Sequence, residues 1–291
     1  MCTELASHPA TTVTPAEGSP KAGPVSRRAA LFAAAGLATT TALSVSGALP
    51  AAADSRGRPG GHGRHGRLDL TYTLGEDFPA YAPGEEAIRQ PATTIPDDGY
   101  YMQRWEIFEH IGTHVDAPAH FNPNGRYASE LTPDELMVPA VVINIARRAA
   151  TDPDTVVTVA DLRDHERRHG RIDDGAAVLM NSGWAAKVSD PDAYRGTDAN
   201  GVLHFPGFGA DATEWLIRHR RIHALGVDTL SIDPGNSATF DTHKILNGAE
   251  RYGVENLANL ARLPARGARI TVGVIPFKRG SGGPAKVLAA W

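Results

Sequence analysis

The stretch His110-Ile111-Gly112-Thr113-His114-Val115-Asp116-Ala117-Pro118-Ala119-His120 places three imidazoles and a carboxylate within eleven residues. Nitrogen and oxygen donors of this kind suit a divalent metal such as Zn²⁺ or Mn²⁺. His110 and His114 are four apart, which on a helix would put them on one face, as in the zincin H-E-x-x-H. However, Gly112 and Thr113 are poor helix formers, no Glu follows His110, and Pro118 drives Ala117 towards extended geometry. The sequence therefore predicts a strand over residues 100–109, a turn at Gly112 and then an extended segment. In that segment His114 and Asp116, two apart, project to the same side. On such a backbone His110, His114 and Asp116 converge on one ion, and His120, beyond the proline, stands close enough to act and is less naturally a ligand.

The chemistry of such a cluster is hydrolytic. A divalent ion lowers the pKa of bound water to about 7 and so supplies hydroxide at neutral pH, and two ions about 3.5–4 Å apart can share it. A carboxylate such as Asp116 can bridge two ions, whereas a neutral imidazole cannot. The leaving atom must then be protonated, and His120, with an ordinary pKa near about 6.5, suits both directions of proton transfer. No nucleophilic alternative stands out: there is no G-x-S-x-G, and the only cysteine is Cys2.

Outward from this segment, hydrophobic runs and helical patterns alternate. Residues 140–146, 176–182, 222–232 and 270–277 are rich in Val, Ile and Leu and read as strands. Thr158-Val159-Ala160-Asp161 and Asp211-Ala212-Thr213-Glu214 resemble capping boxes opening two helices, and Glu255 is placed at or just before a third, short one. The fold class expected is α/β, a single mixed domain over residues 68–291, large enough for a substantial core. Residues 278–284, with Gly280, Gly282 and Gly283, read as a loop, either at the pocket mouth or as a plain turn. His165 with His169, and His219 with His223, read as exposed helix faces, since Arg surrounds each pair. Asp233 precedes Pro234-Gly235, where turn chemistry alone would favour it, with support of a metal ligand as the lower-ranked alternative, and Trp105, Trp184 and Trp215 read as core.

At the N-terminus, Arg27-Arg28, a weakly apolar run over residues 33–49 and Ala51-Ala52-Ala53 read as a Tat-type signal peptide over residues 1–53. Serine, threonine and glycine make the run too polar for a stable membrane anchor. Residues 54–67, rich in Gly, Arg and His, read as a flexible linker. The expected location is therefore outside the cytoplasm, in a mature chain without thiols, since Cys2 lies upstream. Residues 1–53 carry Lys21, Arg27 and Arg28 against Glu4 and Glu17, so their loss takes the formal charge from −4 to −5. A mildly acidic protein gives no electrostatic case for binding nucleic acid.

The pattern H-x-G-T-H-x-D-x-P-x-H-F, met in full from His110 to Phe121, resembles the signature of the metal-dependent cyclase/hydrolase family that includes bacterial kynurenine formamidase and isatin hydrolase. The resemblance continues through residues 178–184, 205–216 and 225–233, and through His243 and Glu255-Asn256-Leu257. It implies a swivelling β/β/α arrangement and a homodimer or higher homo-oligomer. It also implies a first metal at His110, His114 and Asp116, and a second at Asp116, His243 and Glu255. His120 would be the proton donor and acceptor. The isatin-hydrolysing branch works with one Mn²⁺, so the cofactor expected is one or two Zn²⁺ or Mn²⁺ per chain. Tyr81-Ala82-Pro83-Gly84 resembles the aromatic-Pro-Gly segment of the formamidases and makes Tyr81 a substrate-binding candidate. Here Tyr replaces Trp and Ala82 intervenes, which departs from the kynurenine-type pocket. The function expected is a metal-dependent hydrolase using a metal-bound hydroxide to open an amide, lactam or ester of a small molecule, with aryl-formamides and cyclic amides as the leading C–N substrates. The alternatives are a cyclase closing a ring from a linear precursor, and a non-catalytic exported protein that binds metal or ligand.

Overall fold

Val138, Ala140 and Val142 of the strand Met137–Asn144 point into one apolar core, while Val141 and Ile143 point into another. The next strand, Ala177–Asn181, repeats this division, with Ala177 and Leu179 on one side and Val178 and Met180 on the other. Strands buried on both faces must be apolar at every position, which is why these runs lack the polar alternation of a surface strand. The computed structural model describes residues 66–291, so the expected signal peptide and residues 54–65 of the expected linker lie outside the described residues.

The main sheet has eight strands in the order Arg67–Asp69, Gly282–Ala290, Ala268–Val274, Met137–Asn144, Ala177–Asn181, Ala224–Val227, Tyr252–Glu255 and His114–Asp116. The four central strands, from Met137–Asn144 to Tyr252–Glu255, run parallel and the remaining pairings are antiparallel. His114–Asp116 also pairs with residues 282–284, so the sheet closes on itself like a barrel. One core fills its interior. The other lies outside, where the helices Val159–His169, Ala210–Arg220 and Asp241–Gly248 contribute Leu162, Leu216 and Leu246. This is the mixed α/β domain that the sequence implies. Among the described residues, no helix is long and apolar enough to cross a membrane.

Several elements differ from expectation for local reasons. Residues 100–109 contain only the short strand Met102–Glu106, which pairs with Ile88–Thr93 in a separate hairpin, and its Trp105 is exposed rather than core. The strand expected over 222–232 is confined to Ala224–Val227. Beyond it, Asp228 accepts hydrogen bonds from the Ser182 and Trp184 amides and Thr229 Oγ1 donates to Ser231 O, so side chains take over from the sheet ladder. Thr158 does cap its helix, accepting from the Asp161 amide. The helix near Asp211 instead starts from Gly209, leaving Asp211 in the first turn, where a negative charge suits the helix dipole. Glu255 ends a strand rather than opening a helix. The glycine-rich stretch is no plain loop, because Gly282 and Gly283 enter the long C-terminal strand. Gly66 and Arg67 belong to the fold rather than the linker, since the Gly66 amide donates to Trp291 O at 2.7 Å. His165 is buried in its helix and His223 lies outside any helix, so neither pair forms the exposed face expected.

Candidate metal centre and active site

The backbone at the centre follows the sequence reading closely. Gly112 takes φ +66°, a left-handed turn that favours glycine, and Ala117 is extended (φ −70°, ψ 160°) before the short 3-10 helix Pro118–His120. His114 and Asp116, two apart on a strand, face the same side. Register supplies the rest: His114 lies opposite Glu255, and Asp116 lies between Gly253 on one neighbouring strand and Gly282 on the other. A Cβ at Gly253 would stand 2.8 Å from Asp116 Oδ2, so the missing side chain is the space that the carboxylate fills.

The donors converge. His114 Nε2 lies 3.2 Å from Asp116 Oδ1 and 3.3 Å from Glu255 Oε2, and His243 Nε2 lies 3.3 Å from Glu255 Oε1 and 3.6 Å from Asp116 Oδ2. His110 Nδ1 is 2.7 Å from Asp116 Oδ1, and the His120 ring stacks on His110 at 3.9 Å between centroids. Two overlapping groups have donor atoms within 4.8 Å of one another, His114–Asp116–Glu255 and His110–Asp116–His120, with Asp116 common to both. This division differs from the implied one, in which His110 and His114 share an ion and His120 ligates neither.

Each donor is held from behind. Gly112 O lies 3.0 Å from His114 Nδ1, and the same carbonyl accepts from Asn256 Nδ2. Glu255 Oε1 accepts from the Ile232 amide at 2.8 Å. Asp233 takes the role that the sequence ranked second. Its carboxylate takes the Thr242 and His243 amides at the start of the helix and lies 2.7 Å from His243 Nδ1. It thus caps the helix that carries His243 and orients that ring, where the sequence favoured a plain Asp-Pro-Gly turn.

The electrostatics are those of a cation site. Burial opposes charge on His114, but the Asp116 and Glu255 carboxylates outweigh it and lift the imidazole to about 10. Burial likewise opposes charge on His243, and Asp116, Asp233 and Glu255 raise it well above the ordinary range. Burial also works against the Asp116 carboxylate, yet the surrounding imidazoles hold it well below its usual value. His114 Nε2 and Asp116 Oδ2 are nevertheless buried without a hydrogen-bond partner. Buried polar atoms are ordinarily satisfied. Two such atoms among further nitrogen and oxygen donors fit a divalent ion.

His120 behaves differently. Burial pushes its imidazole down to about 4, with His110 and His243 adding to the effect and Asp116 and Glu255 opposing it, rather than leaving it near the ordinary value that the sequence suggested. It faces a cavity of about 520 Å³, also lined by Tyr81, Phe121, Leu230 and Phe240. Burial, then the charges of Glu255, Asp233 and Glu85, push the Tyr81 phenol up to about 12, so it is a neutral hydrogen-bond group. The sequence reading missed the aromatic lining at Phe108 and Phe240. Phe240 occupies the left-handed region (φ +52°) immediately before the His243 helix, an uncommon conformation for a bulky residue that turns the chain at the pocket.

Residues 68–234 match the Cyclase family. The chain belongs to that family. Among cyclase-family relatives, isatin hydrolase of Roseibium aggregatum is 30% identical over 239 residues, covering 76% of this chain and 90% of the relative. Kynurenine formamidase of Bordetella avium is 26% identical over 185 residues, 58% of this chain and 78% of its own. The solved structure of isatin hydrolase A from Ralstonia solanacearum superimposes with a TM-score of 0.73 at 34% identity, covering 78% of this chain and 92% of that one. The chain is accordingly a hydrolase of carbon–nitrogen bonds outside peptides, the class that these relatives share.

Proposed function

We propose that this protein is a metal-dependent hydrolase that opens a small, neutral cyclic amide fused to an aromatic ring. The observation that carries the reading is the pair of buried, unpartnered atoms, His114 Nε2 and Asp116 Oδ2, set among the other donors beside a cavity with aromatic walls. His110, His114, Asp116, His243 and Glu255 would hold the metal, with Asp116 shared between two donor groups. When bound, a divalent ion supplies Lewis acidity towards the carbonyl and lowers the pKa of water to about 7. His120, neutral at physiological pH, accepts a proton from the attacking water and returns it to the departing nitrogen. Phe121 and Phe240, with ring centroids 5.7 Å apart, flank the space beside His243 and give a flat ring an apolar surface. The cavity volume suits a compact bicyclic substrate, and the isatin hydrolases match more of this chain than the formamidases do.

The direct test is hydrolysis of isatin and of N-formyl aryl amines by the wild type and by His120→Ala. Ring opening that falls roughly 10²–10⁴-fold in the variant, at unchanged metal content, supports the assignment. Equal turnover by the two proteins would refute it.

Two further proposals concern the whole protein. The exposed Tyr100, Tyr101, Met102 and Trp105 around the outer hairpin support a homo-oligomer that covers them, which sedimentation of the purified protein decides. Arg27-Arg28 and the following residues support export by the Tat route, which replacement of both arginines by lysine would abolish.

A further inference from the structure

Three of the imidazoles at the donor cluster are steered through their far nitrogen. A carbonyl only accepts, so Gly112 O keeps a hydrogen of His114 on Nδ1 and makes Nε2, towards Asp116 and Glu255, the nitrogen open to a metal. The Asp233 carboxylate does the same for His243. His110 differs, because its far nitrogen meets a hydroxyl, which can donate or accept and does not by itself decide where the hydrogen sits.

The decision is made one residue further out. Ser281 Oγ lies 2.9 Å from His110 Nε2 and donates to Glu109 Oε2 at 2.7 Å, and the Ser281 amide donates to the same carboxylate oxygen at 2.8 Å. Were the hydroxyl hydrogen turned to His110 instead, two bare oxygens would face each other at that separation. With the hydrogen on the Glu109 side, Oγ offers His110 only lone pairs. Nε2 must then carry a ring hydrogen, which makes Nδ1, 2.7 Å from Asp116 Oδ1, the nitrogen open to a metal.

Space at this point supports the same arrangement independently. A Cβ at Gly282 would stand 2.6 Å from His110 Cε1 and 2.2 Å from Val115 O, and one at Gly280 would stand 3.2 Å from Glu109 Oε1. The glycines on either side of Ser281 leave room for the imidazole and the carboxylate that the hydroxyl connects.

We propose that Glu109 and Ser281 are positioning residues that lock His110 in the Nε2–H form, with Nδ1 presented to the metal. The proposal rests on the reading of His110 as a ligand given above. Because one oxygen of Glu109 takes both Ser281 hydrogen bonds, an amide oxygen at the same place suffices, and the charge itself is not required.

The experiment combines two readouts on the full protein. Ring ¹⁵N–¹H correlation of the Zn²⁺-loaded wild type locates the His110 hydrogen, and chelator competition measures Zn²⁺ affinity in Ser281→Ala, Glu109→Ala and Glu109→Gln. We expect the hydrogen on Nε2, affinity about 10–100-fold weaker in both alanine variants, and Glu109→Gln within a few-fold of wild type. A His110 hydrogen on Nδ1, wild-type affinity in the alanine variants, or a Gln variant as weak as the Ala one would overturn the lock. Because the tautomer is read in the wild type, the proposal stays decidable even if a variant fails to fold. A wild type with no stoichiometric Zn²⁺ affinity would instead sink the metal reading, and the lock with it.

Discussion

Asp116, His243 and Glu255, on the inner wall of the cavity, are all buried, as is His114 beside them, whereas Phe108 on its outer wall is 58% exposed and follows a hairpin whose Tyr100, Tyr101 and Trp105 also face outward. The inner wall is fixed by main-chain register: one strand carries two donors, its neighbour carries a third, and glycines make the room. The outer wall follows a two-stranded unit apart from the main sheet, with little of that unit's apolar surface covered. On the proposed function, chemistry would reside where the fold leaves no freedom, and the outer wall would tune substrate binding where side chains can change without disturbing the barrel.

Substitutions on the two walls should accordingly differ in kind as well as size. Asp116→Asn strikes the point common to both donor groups and should lower turnover by on the order of 10³-fold or more, with metal lost on dialysis. Metal analysis and a saturation assay on the same sample check it; retained metal and rate would mean that the inner wall is not the metal centre. Asp233→Ala should keep all the facing donors but release the His243 ring, weakening metal affinity about 10–100-fold as read by chelator competition.

The pH profile sharpens the contrast, because it reports the inner wall alone. Burial depresses His120 to about 4, and the neutral form is the one that accepts a proton, so activity from this group is present above that value and lost as pH falls through it. The metal-bound water ionises at about pH 7, so the decline owed to His120 should be a separate one at about 4, well below the ordinary histidine value of about 6.5. A His120 ring that titrates at about 6.5 in the NMR spectrum of the metal-loaded protein would show that it is not held as the structure indicates. The smallest effect belongs to the outer wall: Phe108→Ala should raise KM roughly three- to tenfold with kcat little changed, in steady-state kinetics.

The same contrast explains what the sequence made legible. Alternation at His114 and Asp116, the turn at Gly112 and the proline effect on Ala117 are local rules, and the barrel obeys them. The apolar runs at residues 140–146 and 176–182 are strands because burial on both faces writes itself into composition. For Asp233 the plain turn outranked support of a metal ligand because its partner His243 is ten residues away and a turn accounts for Asp-Pro-Gly by itself. Ser281 was hidden because only closure of the sheet brings it to His110, 171 residues earlier. Trp105 was misplaced since the rule that aromatics sit inside fails on a hairpin lying outside the main sheet.

The most direct measurement strips the purified protein with a chelator and restores Zn²⁺ or Mn²⁺ in increments while following isatin ring opening. The account predicts no turnover in the stripped protein, and recovery in proportion to metal that saturates at about one or two equivalents per chain. Turnover that survives stripping, or saturation without any stoichiometric metal, would contradict it.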